Sequence, residues 1–211
     1  MKVSLHAVTQ FPQGDEIGGL NYLASVSRHP TPQECEGLFE RTVDWGHGSL
    51  QEFVWYVFYI EHLSYVALAQ LTRHRHASFN VQSGRHTLTR EFFVPTSIEG
   101  DAALEQQYLD VVGDAQRLCH ALIHHGVPLE DARYVLPRAM TVNLFMGING
   151  RSLRNFLRLR LDLGAQEEIR SLAHKIYKLI FPRNHVLMKN ISKNICEEYE
   201  NRRNGTNSST I

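Results

Sequence analysis

The run Phe53-Val54-Trp55-Tyr56-Val57-Phe58-Tyr59-Ile60 limits the fold more than any other stretch of this chain. Its aromatic and β-branched residues favour a pleated strand, and no charged residue interrupts them, so the strand is expected to be buried on much of its surface. The run is too short to cross a membrane as a helix. A chain organised around such a strand must supply a sheet, and most of its other segments read as helices.

Further strands are expected at Val3–Val8, Thr87–Phe93 and Met140–Ile148, the last leaving through a turn at Asn149-Gly150. A Gly-rich loop falls at Gly14–Gly19 and a turn at Gly46-His47-Gly48-Ser49. Helices are expected over Asn21–Arg28, from Pro32 to about Asp44, and over Leu63–Leu71. Leu104–His125 is a longer one, stopped by Gly126 and Pro128. Glu130–Leu136, Ser152–Leu161, Gln166–Phe181 and Pro182 to about Tyr199 complete the helical set. No repeat or dividing linker is visible. The expectation is therefore one α+β domain over residues 1–200, with a mixed or antiparallel sheet flanked by helices. The polar stretch 201–211 is expected to be a disordered tail, so the sequons at Asn204 and Asn207 carry little weight.

The 22 Lys and Arg are balanced by 22 Asp and Glu, which argues against nucleic acid as the main partner. The start, MKVSLHAVTQ, lacks the apolar core of a signal peptide. Three scattered cysteines, Cys35, Cys119 and Cys196, fit reduced thiols in a cytoplasm. Among the 12 histidines, neither His74 and His76 nor His124 and His125 have the i, i+4 spacing of a zinc site, and no metal is expected.

Two basic clusters carry the chemistry. The first runs from Arg73-His74-Arg75-His76 to Ser83-Gly84-Arg85. Arg forks grip phosphate or a base edge through paired hydrogen bonds, and a Ser-Gly turn lets backbone N–H groups close on an anion. RHRH could instead be solvated surface or a nucleic-acid contact, but it follows directly on the apolar Leu63–Leu71 segment, which favours a ligand site. The second cluster is Asn149 to Arg160. On a helix, Leu153, Phe156 and Leu157 form an apolar stripe, and Arg160 is its i+7 member. A permanent cation aimed at the packed side must meet a carboxylate such as Asp162, snorkel outward, or point at a ligand. Arg154 and Arg158 lie on the opposite side and read as solvated.

Arg73-His74-Arg75, seven residues and Ser83 resemble the signature of the flavin-dependent thymidylate synthases, the ThyX family. Gly46-His47-Gly48-Ser49 with Glu52, Ala132-Arg133-Tyr134-Val135-Leu136-Pro137, and Asn149 through Gln166 resemble three further family segments, in the right order. The resemblance implies a ThyX-like fold and a homotetramer with active sites built from several subunits. It implies that Gln70 and Arg73 contact a pyrimidine nucleotide and that Ser83, Gly84 and Arg85 hold its phosphate, with Arg133 helping from a neighbouring subunit. Arg160 becomes the catalytic residue, facing the uracil and favouring the anion left when N3 loses its proton. FAD would be met by His47, Ser49, Arg73, His74, Arg75, Asn149, Arg151 and Asn155.

The implied reaction is methylation of dUMP at C5, with methylenetetrahydrofolate as carbon donor and NADPH as reductant. No cysteine nucleophile is involved. Cys35 sits between Glu34 and Glu36, Cys119 inside a helix and Cys196 near the tail, and none has the electropositive surroundings of an activated thiolate. The chain departs from the family pattern at Val81, where many relatives carry Glu. Phe53 and Gly164 each stand where a His is frequent, and His86 where Tyr is common. Alternatives are a UMP C5-methylase of nucleoside biosynthesis, a flavin- or nucleotide-binding homologue with impaired catalysis, and an RNA-binding module.

Overall fold

The computed structural model describes residues 1–191; Cys196, the end of the expected last helix and the tail 201–211 lie outside the described residues. Strands β1 (Lys2–Val8), β2 (Trp55–Ser64), β3 (Ala77–Val81) and β4 (Thr141–Asn149) form one sheet in the order β1-β2-β4-β3. Thr9 N–H donates to Trp55 O at 3.0 Å while Lys2 lies 3.6 Å from Glu61, so β1 and β2 run in opposite directions. Gly150 N–H donates to Val54 O at 2.8 Å and His62 N–H to Asn143 Oδ1 at 2.9 Å, which makes β2 and β4 antiparallel as well. The apolar run of the sequence is therefore a strand within an antiparallel sheet. On one of its faces Tyr56, Phe58 and Ile60 are completely buried.

The helices are α1 (Glu16–Ser25), α2 (Leu38–Asp44), α3 (Tyr65–Leu71), α4 (Thr96–Glu99), α5 (Ala102–His124), α6 (Leu129–Ala132), α7 (Gly150–Arg160) and α8 (Glu167–Ile180). Side-chain caps start several of them by satisfying N–H groups that have no partner inside the helix. Asp15 accepts from Gly18 N–H, Ser64 from Ala67 N–H, and Asp101 from Ala103 and Leu104 N–H. No helix among the described residues is long and apolar enough to cross a membrane.

Several expected elements come out differently. The Gly14–Gly19 loop gives way to helix at Glu16, because Asp15 caps the chain there. Residues 32–37 are not helical, and α2 begins only after Gly37, whose φ of 69° is left-handed. Residues 182–190 form turns rather than a helix. Thr87–Phe93 makes one isolated antiparallel bridge, Phe92 with Met140, instead of a strand. The cause is competition for β4: Gln82 N–H already bonds Asn143 O, leaving only Ala139–Thr141 for residues 91–93. Asn149-Gly150 is not an exit turn. Asn149 caps α7 by accepting from Ser152 N–H at 2.9 Å, and β4 runs straight into the helix.

The chain divides into two compact units. The first comprises Met1–Lys2, Tyr59–Arg73 and Phe79–Met146, and it contains α3 to α6. Leu63, Leu71, Val112, Cys119, Met140 and Leu144 are buried in it. The second comprises Val3–Phe58, His74–Ser78 and the chain from Gly147 onward, with α1, α2, α7 and α8. Its core includes Leu20, Phe39, Tyr56, Phe58, Phe156 and Ile176. A buried polar cluster also lies inside it. Glu16 accepts from Tyr56 Oη at 2.5 Å, Arg183 Nε at 3.0 Å and Asn184 Nδ2 at 3.3 Å. Burial first, and then the neighbouring Glu16 carboxylate, push the Tyr56 phenol far above its ordinary value.

Candidate active site

In the first unit α3 leads to Gln70 and Arg73, and β3 leads to Ser83-Gly84-Arg85. Arg133 comes from the single turn after α6. The unit brings Gly84 and Arg133 together: a Cβ added at Gly84 would lie 3.0 Å from Arg133 Nη1 and 3.1 Å from the Tyr65 hydroxyl. A side chain there would have to push the Arg133 guanidinium or the Tyr65 hydroxyl aside by a few tenths of an ångström. Arg133, expected from a neighbouring subunit, thus already stands at Gly84 within a single chain. Both residues line a cavity of about 490 Å³ whose walls include Leu68, Leu88, Leu136, Pro137 and Met140. The Ser83 hydroxyl accepts from Arg85 N–H at 3.3 Å, the local bond that shapes the turn. Arg85 is itself engaged by Glu130, through Nε at 2.8 Å and Nη2 at 2.6 Å.

In the second unit the turn Gly46–Ser49 meets the first turn of α7. Gly46 has φ 78°, and the reversal lets His47 N–H reach Thr42 O at 2.8 Å. A Cβ on Gly48 would come within 3.2 Å of Arg151 Nε. Arg151 Nη1 donates to Glu52 at 2.6 Å, fixing the guanidinium beside the turn. The fit is tightest at Gly150, where an added Cβ would lie 2.7 Å from Gln51 O and 2.9 Å from Val54. His47, Ser49, Arg151 and Asn155 are exposed around this junction.

Arg160 is half-buried at the end of α7, and its Nε donates to His74 Nε2 at 3.0 Å. An accepting Nε2 means a neutral ring with its proton on Nδ1. Burial first and the Arg160 charge second hold His74 below the usual histidine range. The ring stands edge-on to Phe156, with centroids 5.0 Å apart. Arg154, expected to be solvated, is half-buried: its Nη1 donates to Leu187 O, and burial ahead of the nearby Arg158 lowers its pKa. Arg158 is exposed as expected.

The expected site residues thus divide by unit. Gln70, Arg73, Ser83, Gly84, Arg85 and Arg133 belong to the first. His47, Ser49, His74, Arg75, Asn149, Arg151, Asn155 and Arg160 belong to the second. The chain changes unit between Arg73 and His74, inside the basic motif. Three side chains that the sequence reading left without a role now have contacts at these clusters: Glu130 on Arg85, Glu52 on Arg151, and Tyr65 beside Gly84. Val81 ends β3, half-buried on the same face as Ala77 and Phe79. Period-2 alternation in Ala77-Ser78-Phe79-Asn80-Val81 is the signal that would have found this strand inside the motif.

Comparison with known proteins gives this chain a family. Residues 11–183, which enclose every expected site residue, match the family described as thymidylate synthase complementing protein, Thy1. A flavin-dependent thymidylate synthase of Pyrococcus furiosus is 36% identical over 72% of this chain and 65% of its own length. One from Geobacter sulfurreducens is also 36% identical, over 70% and 65% respectively. For Sulfolobus acidocaldarius the identity is 38%, over 72% and 61%. The chain therefore spans just under two thirds of these relatives' own length. With a family match that runs through both basic clusters and most of the chain, the protein belongs to the thymidylate synthase complementing protein family.

Proposed function

We propose that the protein is an FAD-dependent thymidylate synthase that methylates dUMP at C5, using methylenetetrahydrofolate and NADPH, in the cytoplasm. The observation that carries this reading is the Gly84–Arg133 approach on a cavity of about 490 Å³, in a chain of this family. A pocket with apolar walls and the arginines Arg133 and Arg138 in its lining suits a heterocycle that carries a phosphate.

The second unit fits a flavin dinucleotide by its donor set. Exposed His47, Ser49, Arg151 and Asn155 surround the start of α7, where a cation and the positive end of the helix suit a pyrophosphate. Arg75, Asn149 and His74 complete the second unit's group; Arg73, which belongs to the first, is implied as a flavin contact by the family resemblance alone. When bound, FAD supplies the hydride chemistry that no side chain can. The chain's own contribution is electrostatic. Arg160 stabilises the negative charge left on the uracil once N3 is deprotonated, and His74, being neutral, orients the guanidinium without adding a competing charge. Ser83, Gly84, Arg85 and Arg133 hold the phosphate, while Gln70 and Arg73 contact the nucleoside. In a homotetramer whose sites draw on several subunits, the two sets can be supplied by different chains. Self-association is supported by α5, where Leu104, Val111 and Leu118 recur every seventh residue and are at least half exposed.

One observation favours a second reading, a binder with impaired catalysis. Val81 offers no hydrogen-bond acceptor at the end of β3. An anaerobic single turnover separates these readings. Protein loaded with FAD and reduced with NADPH is given methylenetetrahydrofolate and then dUMP or UMP. Flavin reoxidation with dTMP from dUMP is expected. Product from UMP alone would move the substrate to the ribonucleotide, and a flavin that reduces without methylated product would establish the impaired binder.

A further inference from the structure

The two arginines expected at the phosphate are held by one residue in the same way. Arg85 Nε donates to Glu130 Oε2 at 2.8 Å, and its Nη2 approaches the same oxygen at 2.6 Å. Arg133 Nε donates to the Glu130 backbone carbonyl at 3.1 Å. In each case Nε is anchored on Glu130, which leaves Nη1 of Arg85 and the terminal nitrogens of Arg133 for other partners; Arg133 Nη1 would lie 3.0 Å from a Cβ built on Gly84. A guanidinium has two usable edges, and a carboxylate on the Nε edge leaves the other for a second oxyanion. The Glu130 carboxylate also neutralises the Arg85 charge that would otherwise repel Arg133.

From this geometry we infer that Glu130 is the positioning residue of a two-arginine phosphate clamp: its carboxylate aims Arg85 and its carbonyl aims Arg133 at one phosphate monoester. Glu130 itself does not touch the ligand. The inference rests on the nucleotide reading of this site, but it concerns only the phosphate. Glu130 is about half exposed, so its replacement is compatible with folding.

The test measures binding of dUMP, deoxyuridine and inorganic phosphate to the FAD-loaded protein by calorimetry. Glu130→Ala should weaken dUMP and phosphate about tenfold, as expected for a lost hydrogen bond to a charged group, and leave deoxyuridine unchanged. Glu130→Gln keeps an acceptor for Arg85 Nε and should restore affinity to within about threefold of the parent. Adding Glu130→Ala to Arg85→Ala should cost nothing further, because the two act as one unit. Unchanged or tighter phosphate binding in Glu130→Ala overturns the inference, as does an equal loss for deoxyuridine. A parent protein that binds phosphate but neither nucleoside nor nucleotide sinks the thymidylate reading alone, and Glu130 is then judged on phosphate. A parent that binds none of the three overturns both.

Discussion

Replacing Arg160 with Ala removes a guanidinium whose Nε donates to His74 at 3.0 Å, without touching the turn around Gly48 and Arg151. The variant should retain FAD, visible in its absorbance, while dTMP formation falls at least about a hundredfold, the scale of losing one oxyanion-stabilising donor. Turnover within about tenfold of the parent would remove the ionisation role. His74 allows a different test. Its folded-state pKa lies below the ordinary 6.5, so at falling pH the unfolded chain takes up a proton that the folded chain refuses. Stability from this residue is complete above that value and is lost as pH falls from there towards the folded-state pKa. Urea midpoints taken from about pH 8 to about pH 5 should therefore drop less steeply in His74→Gln. Parallel profiles would discount the effect. At this scale the sequence identified Arg160 as a cation on an apolar stripe but could not name His74 as its neighbour, because the two are 86 residues apart. Arg154 misled for a related reason: its helical face predicts solvent, but the carbonyl of Leu187 lies in a segment whose path no periodicity reveals.

Among the elements, the junction of β4 and α7 is the most sensitive to change. Gly150 begins the helix with no room for a methyl group, since Gln51 O would lie 2.7 Å away and is backbone that cannot rotate aside. Gly150→Ala should cost about 1–3 kcal/mol, the usual range for overpacking, and lower Tm in calorimetry. The shift should come with weaker FAD binding, because the turn at Gly48 would have to move. An unchanged Tm would mean that the junction is looser than its distances imply. The strong periodic segments β2, α7 and α8 could be read in advance because each buries a face wide enough to pattern its own sequence, and α5 because of its length and its Gly126 and Pro128 stop. β3 was hidden because its five alternating residues lie inside a motif dominated by charge and polar groups. Thr87–Phe93 erred the other way: its composition suits a strand, but β4 had little edge left to offer.

At the largest scale, Glu16 ties distant parts of the second unit together. It gathers Tyr56, Arg183 and Asn184, so that the beginning, middle and end of the second unit meet at one buried carboxylate. Glu16→Ala leaves a buried phenol and amide without their acceptor and should cost about 3–5 kcal/mol in urea unfolding. A loss below about 1 kcal/mol would mean that water or a neighbour replaces it. The sheet has a consequence for synthesis. The inner strand β2 has β1 on one side soon after it emerges, but its other partner, β4, follows far behind; His62 and its acceptor Asn143 are 81 residues apart. Until the ribosome has delivered β4, an aromatic-rich strand presents unpaired backbone amides and carbonyls to any chain nearby. Fragments ending before β4 should accordingly precipitate or be captured by chaperones, and completion of the sheet should be the slow, late step in folding.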